Sequence, residues 1–219
     1  MNKRQQTRKD NQQRILQAAE EEFGLHGFKG TTIQNVADRA GLPKANVVYY
    51  FSNKVNLYTA VLGRITRSWN DVFNRATAED DPAEVLDHFI RAKIEQSVLN
   101  PRASRIFAME IIQGAPHHKD YLRQYLRNWV RDRATVIEQW IAEGRMHPVD
   151  PVQLIFMIWA TTQHYADFET QVLTVMNRGE YEAQDIDHIG DCVSTIILRG
   201  CGLEPPARSG QADQAPARP

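Results

Sequence analysis

Three side chains that can bind a small polar molecule recur at every fourth position in an apolar segment of the C-terminal half. They are Trp159, Gln163 and Asp167, and this spacing places them on one face of a helix. The surrounding residues are so apolar that we expect this helix to be buried on nearly all sides. A buried amide and a buried carboxylate both require hydrogen-bond partners. Neighbouring helices or a bound ligand could supply them, and the residues alone leave both possibilities open.

Two further segments contribute candidates of the same kind. Glu110 lies among apolar neighbours in a helical pattern, where it can pair with Arg105 or with a ligand. Trp69 and Phe73 lie near the end of a long predicted helix, where aromatic residues usually pack in a core but can also line a cavity. The predicted ligand-binding residues are Trp69, Phe73, Glu110, Trp159, Gln163 and Asp167.

These residue types favour a small planar amide as the ligand. The indole faces of Trp69 and Trp159 can stack on a flat ring. The amide of Gln163 can donate and accept hydrogen bonds at the ring edge, and a carboxylate can accept from a ring N–H. The residue types do not distinguish one planar amide from another.

Signatures of catalysis are absent from the sequence. There is no glycine-rich phosphate loop, no Gly-x-Ser-x-Gly, no His-Glu-x-x-His and no Cys-x-x-Cys. Glu110 and Asp167 could in principle act as acid and base, but no nucleophile, metal or cofactor motif accompanies them. His117 and His118 are adjacent and would project about 100° apart on a helix, so we expect solvated histidines at a helix start. We predict no catalytic residue, no metal site and no cofactor.

Residues 31–58 have the layout of a helix-turn-helix. Thr31 and Thr32 can cap the first helix, and Gly41 can end it in the left-handed conformation. A second short helix over about 45–51 would present polar side chains to phosphates or base edges in the major groove of DNA. A helical hairpin that only packs is the alternative. The predicted DNA-contacting residues are Thr31, Thr32, Lys44, Asn46, Tyr49, Tyr50 and Lys54.

Charge is distributed unevenly along the 219 residues, although the net charge is −1. Residues 1–64 contain ten Lys or Arg and five Asp or Glu, whereas residues 65–219 contain sixteen against twenty-two. A basic segment joined to a larger acidic one suits a nucleic-acid reader fused to another function. Cys192 and Cys201 form no metal-ligand pattern. Because no signal peptide or membrane-spanning run is evident, we expect a cytoplasmic protein.

The hydrophobic periodicity predicts an all-α protein with no strand alternation. We divide it into a three-helix DNA-binding domain over 1–52, a larger helical ligand-binding and dimerisation domain over 53–203, and a disordered tail over 204–219, which is rich in Pro, Ala, Arg and Gln. The helices are predicted at 7–26, in the two halves of the helix-turn-helix, and at 53–74, 82–99, 102–113, 118–143, 150–175 and 182–199.

The stretch RILQAAEEEFGLHGFKGTTIQNVADRAGLPKANVVYYFSNKVNLYTAVL, residues 14–62, resembles the DNA-binding domain of TetR-type transcriptional regulators. It has the Phe–Gly pair after the first helix, the Thr–Thr cap, the Ile-x-x-Val-Ala helix and the Tyr–Tyr–Phe ending that such domains have. The resemblance implies operator binding, with one of Tyr49 and Tyr50 contacting phosphate while the other packs.

The resemblance extends into the second half of the chain. PRASRIFAMEIIQGAP at 101–116 and DPVQLIFMIWATTQHYADFETQV at 150–172 look like the pyrimidine-utilisation repressors of that family. This implies a repressor that releases DNA when it binds a pyrimidine such as uracil or thymine. An unrelated apolar effector, and an enzyme acting on nucleobases, are the alternatives. Residues 177–219 carry no comparable match.

Apolar surface in the last two long helices predicts a homodimer. Both helices have more apolar positions than one packed face needs, and such patches usually mark association, most often as a two-fold dimer. We expect these helices from two subunits to form a four-helix bundle. The positions are Ile155, Ile158, Tyr165, Phe168, Ile186, Ile189, Val193, Ile196 and Ile197.

Overall fold

The computed structural model describes residues 3–207 and confirms the all-α prediction, since these residues form helices and no strand. Residues 208–219, most of the predicted disordered tail, lie outside the described residues. No helix in the described part of the chain is long and apolar enough to cross a membrane. The helices are α1 Lys3–Gly30, α2 Ile33–Ala40, α3 Lys44–Phe51, α4 Lys54–Asn74, α5 Pro82–Leu99, α6 Pro101–Ile112, α7 Lys119–Tyr121, a π-helical segment Leu122–Leu126, α8 Arg127–Ala142, α9 Pro151–Asp167, α10 Glu169–Met176 and α11 Ala183–Gly200.

The helix boundaries around the predicted helix-turn-helix follow from local capping. The Thr32 hydroxyl accepts from the amide of Asn35 at the start of α2, and Gly41 ends that helix at φ 61°. The Asn53 side chain caps α4 in the same manner. Since each cap satisfies amides or carbonyls that a helix end leaves unpaired, the sequence determines where these helices begin and end.

The predicted helix over 150–175 is wrong in one respect, because it breaks at Phe168 into α9 and α10. The Tyr181 hydroxyl donates to the carbonyl of Tyr165 at 2.9 Å. In a continuous helix that carbonyl would accept from the amide of Glu169. The tertiary contact offers it a different donor at the point of the break.

Two hydrophobic cores divide the molecule, and α4 runs through both. The first core joins α1–α4 to the first half of α6 and includes Ile15, Val47, Leu57 and Trp69. The second core lies among α5, α8, α9 and α11, and Phe73 belongs to it. Because Trp69 and Phe73 are one helical turn apart, α4 takes part in both cores. It connects α1–α3 and its own first half, which we call the N-terminal unit, to the remaining helices, which we call the body.

Candidate DNA-reading surface and interior ligand site

Helix α3 packs through one side and leaves the opposite side exposed. Val47 and Phe51 are buried, whereas Lys44 is exposed and Tyr49 is 72% exposed. Asn46 and Tyr50 are half-buried, and Thr32, before the start of α2, is exposed. Five of the seven predicted DNA-contacting residues therefore have side-chain surface accessible to a double helix.

The other two predicted DNA contacts need correction. Thr31 is 1% exposed, and its hydroxyl donates to the carbonyls of Glu22 and Gly27, so its side chain ties α1 to the turn before α2. The Lys54 ammonium donates to the carbonyls of Phe28 and Thr31 at 2.9 and 3.0 Å. It also lies 4.4 Å from the centre of the Phe28 ring. We assign both side chains to folding of the N-terminal unit.

Lys93 of α5 is the most unusual buried group of the body. It is 2% exposed, and its ammonium lies 4.7 Å from the centre of the Trp69 ring. Burial lowers the pKa of Lys93 to about 7, although the charge of Asp167 opposes the shift. The lysine makes no side-chain hydrogen bond within residues 3–207, so a nitrogen donor is held in the interior without a hydrogen-bond acceptor.

Asp167, at the end of α9, is close enough to Lys93 for the two charges to interact. It accepts a hydrogen bond from the Ser104 hydroxyl at 2.6 Å. Burial raises the pKa of Asp167, with the Ser104 hydrogen bond and the cations Arg105 and Lys93 opposing the rise. Lys93 therefore interacts with two of the predicted ligand residues, through the ring of Trp69 and through the charge of Asp167.

Asn70 and His118 add further buried polar atoms without partners. The Asn70 side-chain nitrogen and both ring nitrogens of His118 lie buried and have no hydrogen bond to any residue of the described range 3–207. His118 stacks on Tyr121 at 4.3 Å, and the Tyr121 hydroxyl lies 2.8 Å from that of Thr66, one turn before Asn70. Burial lowers the pKa of His118 to about 4, opposed by the charge of Glu110, so the ring is neutral at physiological pH. The prediction of solvated histidines is wrong for His118, which is 1% exposed.

We call these groups together the interior polar cluster. Trp69 links its two ends, since its ring meets Phe107 edge-on at 5.3 Å and Phe107 meets His118 at 6.2 Å. The cluster consists of Thr66, Asn70, Lys93, Ser104, His118, Tyr121 and Asp167. Unpaired buried polar groups cost about 1–3 kcal/mol each, and such a cost is expected where a ligand completes the site.

The remaining predicted ligand residues are divided among three places. Gln163 is half-buried on the same face of α9 as Asp167, and its amide makes no hydrogen bond within the described part of the chain. Trp159 stacks on Trp129 at 5.9 Å. Phe73 is fully buried against Phe89 in the second core. We therefore correct Phe73 from cavity wall to packing residue.

Glu110 also needs correction, because it faces the N-terminal unit. One carboxylate oxygen accepts from the His117 amide at 2.6 Å, and the other lies 3.3 Å from His117 Nδ1. The His117 ring packs on Phe28 of α1 at 4.1 Å and meets Tyr58 of α4 edge-on. Burial and the nearby Glu110 carboxylate raise the pKa of Tyr58. Glu110 and His117 line a junction cavity of about 750 Å³ between α1 and α6.

Lys93, Asn70 and His118 are the functional candidates that the sequence reading missed. A signal existed for two of them. Lys93 follows the buried positions Phe89 and Ile90 at helical spacing, and Asn70 follows Thr66 in the same way. A polar residue in the middle of a buried stripe can be found by helical periodicity. His118 gave no such signal, since it precedes a helix of only three residues.

The predicted dimerisation positions are mostly buried within the subunit. Ile155 and Ile158 are fully buried, and Ile189, Val193 and Ile197 are at most 8% exposed. We correct these five from interface to internal core. A narrower set of apolar side chains remains exposed, which we call the exposed apolar face of α9 and α11: Phe156 and Met157 of α9, Phe168 at the C-terminal cap of α9, and Ile196 of α11.

Two family models together match most of the chain. Residues 15–61 match the family "Bacterial regulatory proteins, tetR family", and residues 62–204 match "YcdC-like protein, C-terminal region". The chain is 38% identical over 186 residues to the HTH-type transcriptional regulator RutR of Escherichia coli K12, covering 85% of this chain and 88% of that one. It is 29% identical over about half its length to the regulator TtgR of Pseudomonas putida.

Solved structures share the fold at low sequence identity. A TetR-like transcriptional regulator from Rhodococcus sp. RHA1 superposes with a TM-score of 0.61 at 18% identity, over 87% of this chain and 94% of that one. AibR, solved in complex with isovaleryl coenzyme A and operator DNA, superposes with a TM-score of 0.62 at 18% identity, over 90% of this chain and all of that one.

Proposed function

The chain belongs to the TetR family of DNA-binding transcriptional regulators, and we propose that it is a repressor that a pyrimidine such as uracil or thymine releases from operator DNA. Proteins of this family are regulators and not enzymes. The observation that supports the effector assignment is the buried Asn70 nitrogen and the two buried His118 ring nitrogens, which have no hydrogen-bond partner among residues 3–207, together with the Lys93 ammonium over the Trp69 ring.

The hydrogen-bonding capacity of the interior polar cluster complements the edge of a pyrimidine. Lys93 and the Asn70 amide are donors that lack acceptors, and ring carbonyls would supply them. Asp167, the Gln163 amide and one nitrogen of His118 can accept from ring N–H groups. Trp69 provides a flat face beside the lysine. An apolar effector would leave these groups unpaired at about 1–3 kcal/mol each, which disfavours that alternative.

The loop before α7 offers a route from this cluster to the DNA-binding unit. His118 faces the cluster, whereas the preceding His117 packs on α1 and binds Glu110. The His117 carbonyl also accepts from Thr59 of α4 at 3.4 Å. A ligand that moves His118 would therefore move a residue in contact with α1 and α4. It can favour the released state only through its difference in affinity for the two states.

We place the DNA-binding domain at 1–52 and the ligand-binding and dimerisation domain at 53–203. The protein is proposed to act in the cytoplasm as a homodimer, with the exposed face of α9 and α11 at the interface. A two-fold dimer matches two operator half-sites spaced by about one DNA turn. Effector binding would alter the spacing of the two α3 helices so that they no longer fit both half-sites.

Binding of pyrimidines to the purified protein tests the effector assignment. In isothermal titration, uracil or thymine should bind at one site per subunit. 1,3-Dimethyluracil keeps the ring and both carbonyls but lacks the N–H donors, so it should bind much more weakly. Equal binding of all three compounds, or no binding, would exclude the proposed pairing at the ring edge.

The substitution Lys44→Ala is expected to weaken binding to all DNA sequences alike. Lys44 is an exposed cation at the start of α3, where it can contact a phosphate and release about one counterion. The slope of log Kd against log salt concentration should fall by about 0.9. Fluorescence anisotropy with operator and random duplexes would measure it, and Lys29→Ala, which changes a cation at the end of α1, is the control. An unchanged slope for Lys44→Ala would show that α3 docks differently.

The substitution Gln163→Ala is expected to weaken pyrimidine binding while leaving operator binding intact. Loss of an amide contact that leaves the ligand group unpaired costs about 1–3 kcal/mol, which corresponds to about 5- to 100-fold in Kd. Gln153→Ala, at an exposed position on the same helix, is the matched control. A fall in melting temperature with unchanged ligand affinity would make Gln163 a structural residue.

A further inference from the structure

The first three turns of α1 extend beyond the packed part of the N-terminal unit. The helix starts at Lys3, but its first fully buried residue is Ile15, and the residues between them are exposed except for Asn11, which is half-buried. The match to the family DNA-binding domain also starts only at residue 15. We call residues 3–14 the N-terminal extension. At about 1.5 Å per residue it spans roughly 17 Å.

The last residue of the N-terminal extension lies against the turn that precedes α3. The Arg14 guanidinium donates to the carbonyl of Ala40 at 2.7 Å. A Cβ atom added at Gly41, in the turn between α2 and α3, would lie 3.3 Å from the same guanidinium. In helix-turn-helix proteins the N-terminal residues of the second helix point at base edges. The extension is therefore continuous with the DNA-reading surface.

Most of the positive charge of the N-terminal unit lies on this extension. Residues 3–14 contain five Lys or Arg and one Asp, for a net charge of +4, whereas residues 15–64 contain five against four, for +1. Within the second group, Arg39 pairs with Glu21 and Glu22 and Arg64 pairs with Glu20.

Little cationic charge remains for phosphates on the helix-turn-helix itself. The Lys54 ammonium is held by two backbone carbonyls, and Lys29 lies at the junction cavity on the far end of α1. Helix α3 itself contains one cationic residue, Lys44. A DNA reader needs several phosphate contacts, because counterion release supplies most of its non-specific affinity.

We propose that the N-terminal extension binds the phosphate backbone of the duplex next to the site read by α3, and that it supplies most of the cation–phosphate contacts. This inference rests on the proposed function, since it requires DNA binding. The extension would lengthen the footprint of each subunit beyond the helix-turn-helix. It would add affinity without adding sequence specificity.

The combined substitution Arg4→Gln, Arg8→Gln and Lys9→Gln tests the proposal. Gln has nearly the same helix propensity as Arg and Lys, so the helix should persist. The matched control is Arg123→Gln, Arg127→Gln and Arg131→Gln, which removes three exposed cations from the body. Binding of a random-sequence 40-base-pair duplex is measured by anisotropy over a range of salt concentrations.

The N-terminal triple variant should reduce the slope of log Kd against log salt by about 2–3, and weaken binding near physiological salt by on the order of 100-fold. The control variant should leave the slope of log Kd against log salt unchanged and should change Kd by no more than about twofold. Equal slopes for wild type and the triple variant would overturn the proposal while leaving the proposed function intact. No DNA binding by wild type would instead refute the proposed function.

Anionic lipid vesicles test whether the N-terminal extension binds a membrane instead of DNA. With vesicles of phosphatidylcholine and phosphatidylserine, wild type and triple variant should bind equally weakly. Vesicle binding lost in the triple variant, together with an unchanged DNA salt slope, would assign the extension to a membrane and overturn the proposal.

Discussion

The substitution Ile196→Arg is expected to convert the dimer into monomers and to cost on the order of 10²- to 10⁴-fold in operator affinity. Ile196 is 67% exposed on α11, within the exposed apolar face shared with α9. Burying a guanidinium at the centre of a two-fold interface would place two like charges together without partners. A monomer loses the effective concentration by which one bound half-site helps the second to bind.

Light scattering measures the oligomeric state of the variant, and an operator-binding assay measures its loss of affinity. Ile112→Arg is the matched control, because Ile112 is 76% exposed at the end of α6 and the chemical change is the same. The control should remain a dimer with unchanged affinity. A monomeric wild-type protein at micromolar concentration, or a dimeric Ile196→Arg variant, would exclude this interface.

The substitution Lys93→Met is expected to abolish most of the response to pyrimidine and to remove a pH dependence of stability. A hydrogen bond from a charged donor contributes about 1.5–3 kcal/mol, so pyrimidine affinity should fall by about 10- to 150-fold. Operator binding without effector should be unchanged. Methionine is of similar length and apolar, so packing around Trp69 should be retained.

The sign of the pH effect follows from the lowered pKa of Lys93. The pKa of Lys93 is about 7 in the folded protein and about 10.4 in the unfolded chain. Between these two pH values, Lys93 is protonated in the unfolded chain and neutral in the folded protein. The free energy of unfolding of wild type should therefore rise from pH 7 towards pH 10. Denaturant unfolding between pH 6.5 and 9.5 would show whether wild type gains stability relative to Lys93→Met. If the free energies of unfolding of wild type and Lys93→Met change with pH in the same way, Lys93 is not buried as a neutral amine above pH 7.

The local rules of helix capping made much of the fold predictable. Thr32, Gly41 and Asn53 determine where helices begin and end through contacts within four residues, so the helix-turn-helix could be identified from sequence. The break at Phe168 could not, because the donor that engages the Tyr165 carbonyl comes from Tyr181, beyond the end of the predicted helix. Local periodicity contains no information about such a contact.

The candidate sites were predictable only where exposure follows from helical periodicity. Tyr49 lies on the outer side of a short helix whose inner side is apolar, and Lys44 is exposed as the first residue of that helix. Thr31 looked equally suited to DNA, but its hydroxyl is turned inward to two carbonyls of α1. Glu110 and Asp167 have the same residue class and similar surroundings in sequence, yet one faces α1 and the other faces Lys93. Only the packing of separate helices decides between these two directions.

Release of DNA by pyrimidine is the most direct test of the central claim. The protein is bound to a fluorescent duplex that it has itself selected from a random pool, and uracil is added while anisotropy is recorded. We predict that anisotropy falls to the value of free DNA over the same uracil concentrations that saturate the protein in isothermal titration, and that 1,3-dimethyluracil has little effect. Anisotropy that stays constant with saturating uracil and thymine would contradict the account, because effector binding would then not be coupled to DNA release.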